Sequence, residues 1–242
     1  MKYENEVKII SELLNSGKYA VFFGGAGVST ASGIPDFRGS KGLYTVSDEP
    51  VEYFLSRDCL ISEPDRFYGF LREKMVYPDA APNECHKVLA SLETKGKIKA
   101  VITQNIDGLH QAAGSRRVIE LHGTMNRAFC DRCGKLYPSE SFESESLPFC
   151  SCGGLIRPDV TLYGEALDPV AFTYAEEEIE RADVLIVGGT SLTVNPAASF
   201  VGRFRGEHLI IVNLTETPYD HMAEFVIRRP VCEFFSLLQE LT

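Results

Sequence analysis

YAVFFGGAGVSTASGIPDFRG, residues 19–39, runs a short apolar segment straight into a turn of small residues. The apolar part reads as a strand buried on both faces, and Gly24, Gly25 and Gly27 mark the turn that ends it. Such turns are where α/β proteins hold dinucleotides. Gly25, Ala26 and Gly27 let the backbone come close to a pyrophosphate, and the helix start expected next would offer it free N–H groups. The third glycine of G-x-G-x-x-G is missing, and Ser29 and Thr30 stand at that end, as helix caps or as hydroxyls for a phosphate. Alone, the turn is equally compatible with a tight connection that holds no ligand.

Working outward, IKAVITQN (98–105), PDVTLYGE (158–165), ADVLIVGGTS (182–191) and HLIIVN (208–213) read as further strands, with a short one at Val118–Leu121. Val7, Ile10, Leu13 and Leu14 recur at helical spacing, predicting an N-terminal helix that stops near Gly17. Two or three helices are expected over residues 51–95, with Pro64 and Pro82 as helix-start residues, and further helices over 169–181 and 231–241. Strands separated by helices imply a doubly wound parallel sheet, Rossmann-like in class. It carries a helical insertion at about 40–80 and a small insertion at 125–156. The large domain is then residues 1–124 and 157–242.

The strand ends carry polar residues: Gln104, Asn105 and Asp107 after one, Thr190 and Ser191 after another, Asn213 after a third. Gathered at one edge of a parallel sheet, they suit a ribose, an amide and phosphates, although each alone could cap a loop. A hydride-transfer dehydrogenase would place an acidic residue on a second strand about 20 residues past the glycines. Glu49 lies near that distance in what reads as a loop, so simple hydride transfer is disfavoured.

The chain has 242 residues, 44% of them hydrophobic, enough for one main domain with a full core. A net charge of −10 argues against nucleic-acid or anionic-membrane partners, and charges interrupt any signal-like core at the N-terminus. A soluble, cytoplasmic protein is expected. Cys130, Cys133, Cys150 and Cys152 fall in one segment, which without a secretory signal reads as a metal site; Cys59, Cys85 and Cys232 read as ordinary buried residues.

GAGVSTASGIPDFRG, TQNIDGLH, LHGT, the paired cysteines, RPDVTLYGE, GTSLTVNPAA and IVN, in that order along nearly the whole chain, resemble the sirtuins, NAD-dependent protein deacylases, in their compact bacterial form. The resemblance implies a Rossmann domain and a small zinc domain flanking a cleft that takes acyl-lysine peptide. It implies NAD as co-substrate, held by Gly25, Ala26, Gly27, Thr30, Phe37 and Arg38 in the first loop, and by Gln104, Asn105, Ile106, Asp107 and His122 around the ribose and nicotinamide. Gly189, Thr190, Ser191, Asn213, Leu214 and Val231 would hold the adenosine half. His122 matches the catalytic base, with Asn105 and Asp107 beside it. Val160, Leu162, Tyr163 and Gly164 on one edge, and Leu192, Val194 and Asn195 on the other, would sandwich the peptide as an added strand.

The implied reaction releases nicotinamide from NAD and moves the acetyl group of an acetyl-lysine protein to ADP-ribose, giving O-acetyl-ADP-ribose. Protein ADP-ribosyl transfer and a non-catalytic NAD-sensing module stay open as alternatives. Cys130, Cys133, Cys150 and Cys152 would hold a structural zinc, although the second pair is C-x-C where the family has C-x-x-C. Relatives that favour acidic acyl groups share Tyr-x-x-Arg; here Tyr68 is followed by Leu71, and Arg72 lies about 100° further round the helix. Either the pocket is neutral and prefers acetyl, or both residues are core packing. A monomer is expected.

Overall fold

The computed structural model describes residues 2–37, 39, 42–46, 51–143 and 147–241. The strands are β1 (Ala20–Gly24), β2 (Ala100–Thr103), β3 (Val118–Glu120), β4 (Gly123–Cys130), β5 (Leu136–Pro138), β6 (Ile156–Val160), β7 (Val184–Gly188), β8 (His208–Val212) and β9 (Phe225–Ile227). Among the described residues six of them form one sheet in the order β3-β2-β1-β7-β8-β9, every neighbouring pair parallel. Counted within that sheet alone, the order is 3-2-1-4-5-6, and its switch point falls between β1 and β7.

Alternation along the strands explains why both faces are covered. Phe22, Ile186 and Ile210 enter one core cluster with the C-terminal helix Val231–Leu241, while Val21, Phe23, Leu185, Val187, Leu209 and Ile211 enter the cluster on the other face. Phe22 is fully buried and lies edge-on to Phe235 with centroids 5.5 Å apart, so truncating it to Ala should cost about 3–5 kcal/mol of stability through lost burial and the cavity left behind.

The structure departs from the sequence expectations at several points. PDVTLYGE does not join the parallel sheet: β6 runs antiparallel to β4, and β5-β4-β6 form a second, three-stranded sheet. A short apolar run between turns looks alike in either sheet, because nothing local in a strand names its partner. No α-helix follows the glycine turn; two 3₁₀ turns, Ala26–Val28 and Thr30–Ser32, take its place and stop at Gly33, whose φ is +86°. Residues 51–94 hold four helices, Val51–Phe54, Arg57–Ser62, Pro64–Lys74 and Glu84–Thr94. Pro64 does open its helix, but Pro82 does not: Asn83 is the N-cap, accepting from the Cys85 and His86 backbones. The edge strand β9 had no counterpart in the sequence reading.

A third core cluster lies beneath the small sheet and joins it to the helical segment through Phe54, Phe67, Tyr68, Leu71, Phe142 and Ile156. Tyr68 and Leu71 are buried there, and the Tyr68 hydroxyl donates to the Ile156 carbonyl at 2.7 Å. Both are therefore packing residues, and Arg72 turns to donate to the Phe142 carbonyl at 3.3 Å. A preference for neutral acyl groups cannot be carried by Leu71 here.

Candidate active site

The switch point brings two glycine loops together backbone to backbone. Gly27 N–H donates to the Gly189 carbonyl at 2.8 Å, and Gly25 N–H to the Gly188 carbonyl at 3.2 Å. A Cβ on Gly27 would lie 2.8 Å from the Gly189 Cα, and one on Gly25 2.7 Å from the Thr190 Cβ. Gly189 has φ +62°, a conformation that favours glycine. Here the glycines make room for each other, a stronger requirement than the approach of a ligand.

Around this junction the strand-end residues form two hydrogen-bonded sets. Gln104 Nε2 donates to Thr190 Oγ1 at 2.9 Å, tying the end of β2 to the end of β7. Asn105 Nδ2 donates to Ser29 Oγ at 3.0 Å, and Ser29 Oγ donates to Asp107 Oδ2 at 2.6 Å. Asp107 Oδ1 accepts the Leu109 N–H at 2.9 Å, so both carboxylate oxygens are held. Ser29 is 1% exposed and stands at the N-cap of the second 3₁₀ turn, but its hydroxyl makes no capping bond and instead bridges Asn105 and Asp107. The sequence places Ser29 in the turn, but its partners lie 76 and 78 positions away, which no local pattern shows.

His122 follows β3. Its Nδ1 lies 2.9 Å from the Gln104 carbonyl, and since a carbonyl only accepts, Nδ1 carries the proton and Nε2 keeps its lone pair. Burial pushes the imidazole below its ordinary value, partly opposed by that hydrogen bond, so the ring is neutral at pH 7 and can act as a base. Its carbonyl accepts the Thr161 N–H at 2.9 Å, which joins it to the segment leaving β6. Leu192 packs in the cluster with Ile119 and Leu121, whereas Val160 and Leu162 belong to the cluster beneath the small sheet. His122 thus sits at the junction of the two. A cavity of about 840 Å³ lies between β3, β6 and the start of the helix Pro169–Arg181, lined in part by Ile119, Gly123, Val160 and Tyr174; His122 is not part of its wall.

Other expected site residues stand as follows. Thr30 is exposed and donates to the Gly27 carbonyl at 3.0 Å. Phe37 is half-buried, its ring 5.8 Å from that of Tyr44, and Ile106 packs against the same cluster while its carbonyl accepts Met125 N–H at 2.8 Å. Ser191 pairs with Thr193 at 2.8 Å, and Asn213 donates to the Thr215 carbonyl at 3.0 Å. Leu214 is exposed, while the Val231 side chain is buried in the core, leaving only its backbone at the helix start to face a ligand. Tyr163 meets Tyr44 through their hydroxyls, Gly164 has φ +90°, and Val194 and Asn195 are accessible. Leu192 is a non-glycine residue at φ +53°, a conformation that costs about 1 kcal/mol. Arg38 and Glu49 lie outside the described residues.

The four cysteine sulfurs all lie within 4.8 Å of one another, with Cys130–Cys152 at 3.4 Å and Cys133–Cys150 at 3.8 Å. Thiolates about 2.3 Å from a tetrahedral zinc stand about 3.8 Å apart, so the set fits the ion. The shorter C-x-C pair is accommodated by Gly153 at φ +78°, and a Cβ on Gly154 would lie 2.8 Å from the Cys130 sulfur. The Cys152 backbone N–H and the Tyr137 hydroxyl hold the Cys150 thiol down at about 5, which favours the thiolate a metal needs. Metal analysis is expected to give about one zinc per chain, and Cys150→Ser to lose it together with the small sheet's stability. A metal-free wild type would overturn the site.

A 3-2-1-4-5-6 sheet with polar groups from several strand ends gathered at its switch point, a neutral histidine base beside them and a separate four-thiolate module define a dinucleotide-dependent enzyme of two-domain build. The chain belongs to the Sir2 family, whose profile matches residues 25–196. It is 50% identical over 223 residues to the NAD-dependent protein deacetylase of Cutibacterium acnes, covering 90% of this chain and 91% of that protein. Against the NAD-dependent protein deacetylase of Staphylococcus aureus the figures are 45% over 227 residues, 92% and 93%. Among solved structures, a Sir2–p53 peptide–NAD+ complex superposes with TM-score 0.86 at 43% identity, covering 96% of each chain. Sir2 bound to acetylated peptide superposes with TM-score 0.85 at 41% identity, covering 97% of this chain and 99% of that one.

The Ser29 bridge makes a direct prediction. Ser29→Ala leaves Asn105 Nδ2 without its acceptor and Asp107 Oδ2 without its donor, while Oδ1 keeps the Leu109 N–H, and hydrogen bonds to charged groups are worth about 1.5–3 kcal/mol. Steady-state kinetics should show kcat/KM for NAD falling roughly 10- to 100-fold, with the melting temperature lowered by only several degrees. An unchanged kcat/KM would remove Ser29 from the site.

Proposed function

We propose that the protein is an NAD-dependent protein lysine deacetylase. The observation that carries this is the neutral His122 with a free Nε2, set beside a switch point whose Asn105 and Asp107 are rigidly held. A pure NAD sensor needs no proton acceptor, and the identity with NAD-dependent protein deacetylases spans nine-tenths of the chain. The half-buried polar ends of β1, β2, β7 and β8 fit NAD, which when bound supplies the ADP-ribosyl acceptor for the acetyl group and a nicotinamide leaving group.

In this reading Gly25, Ala26, Gly27, Thr30, Phe37 and Arg38 line one side of the NAD site, and Gly189, Thr190, Ser191, Asn213, Leu214 and the Val231 backbone the other. Gln104, Asn105, Ile106 and Asp107 hold its centre. His122 Nε2 takes a proton from a hydroxyl and returns it later. Phe37, on a loop against the third core cluster, keeps water from the reacting centre. Acetyl-lysine peptide adds as a strand between 160–164 and 192–195; the small domain extends beyond the expected 125–156, because its sheet takes in β4 from Gly123 and β6 to Val160. The zinc stabilises that insertion and takes no part in the chemistry, since four thiolates leave no open position. A monomer acting in the cytoplasm, without nucleic-acid or membrane partners, agrees with the net charge of −10 and with the absence of any membrane-length apolar helix among the described residues.

Nicotinamide release from NAD, measured with and without an acetyl-lysine peptide, tests the proposal. Release should require the peptide and match free-lysine formation one to one. Release that ignores the peptide would favour an NAD hydrolase or ADP-ribosyl transfer.

A further inference from the structure

Four charged side chains connect the metal knuckle to the peptide edge. Asp131, between Cys130 and Cys133, pairs its carboxylate with Arg57 and lies 3.6 Å from Arg157 Nε. Arg157 Nη2 donates to Glu165 Oε2 at 2.9 Å, and Arg57 Nη1 lies 3.8 Å from Glu165 Oε1, which closes the set into a ring. The same Glu165 Oε2 accepts the Leu162 N–H at 2.9 Å. Arg57 also donates its backbone N–H to the Tyr163 carbonyl at 3.0 Å, and Tyr163 returns its own N–H to the Leu55 carbonyl at 2.9 Å. Three elements therefore converge on one short stretch: the knuckle, the helix Arg57–Ser62, and the chain leaving β6.

These are not loose surface pairs. The Arg157 side chain is only 7% exposed, and its guanidinium stands 4.9 Å over the Phe129 ring. Arg157 is the buried member and Arg57, Asp131 and Glu165 are partly exposed, so removing one partner leaves the buried guanidinium less well compensated and loosens the backbone that the set holds. That backbone is held by the ring at Leu162, through Glu165, and beside it at Tyr163 by the backbones of Arg57 and Leu55.

We propose that the Arg57–Asp131–Arg157–Glu165 ring is a positioning device for the substrate-peptide edge, through which the folded metal knuckle sets peptide affinity. The proposal rests on the assignment of 160–164 as a peptide-binding edge. Its consequence is a coupling between two sites with no shared ligand. Because coupling of binding free energies is reciprocal, bound peptide must tighten the hold on zinc by the factor by which zinc tightens the hold on peptide.

The test uses the full, zinc-loaded chain carrying Arg57→Gln, Asp131→Asn or both. Each single variant should raise the KM for acetyl-lysine peptide about tenfold while kcat and the KM for NAD stay within about twofold. The double variant should be no worse than the poorer single one, because one ring is broken in either case. In the wild type, saturating peptide should raise the chelator concentration needed to remove half the zinc, and both variants should lose that protection. Arg57→Gln lies outside the knuckle, so it keeps the test decisive if Asp131→Asn disturbs metal loading. Unchanged peptide KM, or undiminished protection of zinc, overturns the ring as a positioning device. A peptide N-methylated at the amides flanking the acetyl-lysine separates the two layers. If wild-type KM ignores methylation, the strand-addition assignment fails. If KM responds to methylation but not to the ring variants, the ring alone fails.

Discussion

His122→Ala should reduce deacetylation by about 10²–10⁴-fold while leaving the fold intact and NAD still bound through the other residues of its site, because general-base catalysis by a positioned side chain is worth that much. The expectation follows from geometry. The Gln104 carbonyl fixes Nδ1–H at 2.9 Å, so the ring has one tautomer and one orientation, with the lone pair always on Nε2. Removing the ring removes the base without unpairing a buried donor, since the Gln104 carbonyl that loses its partner is an acceptor with a second lone pair. Free-lysine formation measures the loss, and calorimetric titration with NAD shows that binding survives. The pH profile adds a second check. Burial lowers the imidazole's pKa, so the acid limb of wild-type kcat/KM should lie below about pH 6.5, the ordinary histidine value. More than a tenth of wild-type activity in His122→Ala would remove the histidine from the chemistry.

Much of this site was legible in the sequence, and what was missed has a common cause. Strand interiors and the polar residues just past them are local patterns: VFF, AVIT and LIVGG each show their burial, and Gln104, Asn105, Asp107, Thr190 and Asn213 each follow directly. Relations across the chain are not local. Gly27 could be seen as a turn residue, but the atom that would fill the place of its Cβ belongs to Gly189. Ser29 could be seen as a hydroxyl in a loop, but its partners are Asn105 and Asp107. β6 could be seen as a strand, but its partner β4 lies across the cysteine module. The family resemblance supplied some of these long-range relations, and for His122 it identified a role that a lone histidine beside a strand would not suggest.

Two further histidines escaped notice because they sit on apolar faces, and they carry the largest pH effect expected of the fold. His86 and His110 are 0% and 1% exposed, with ring centroids 4.7 Å apart. Burial drives His86 down to about 4, against the pull of Asp107, and drives His110 down to about 3, with His86 adding to the effect. Both are neutral in the folded protein, and His86 Nδ1 accepts the Asn83 N–H that opens its helix. In the unfolded chain both titrate near 6.5, so below that pH the unfolded state binds two protons that the folded state refuses. The stability they confer is full above about pH 6.5 and drains away as pH falls toward 4 and 3. Each imidazole costs about 1.4 kcal/mol per pH unit in that window, or about 4 kcal/mol for the pair between pH 7 and 5. Against a total stability of about 5–15 kcal/mol, that should lower the melting temperature by roughly 10 °C. Scanning calorimetry across this range measures it. His110→Phe isolates the cause, since neither His110 nitrogen has a hydrogen-bond partner among the described residues, and a phenyl ring fills the same space. The variant should lose about half the pH dependence and melt closer to its neutral-pH value at pH 5. A wild-type melting temperature that stays level from pH 7 to 5, or a His110→Phe curve parallel to it, would show that the pair does not set the acid limit.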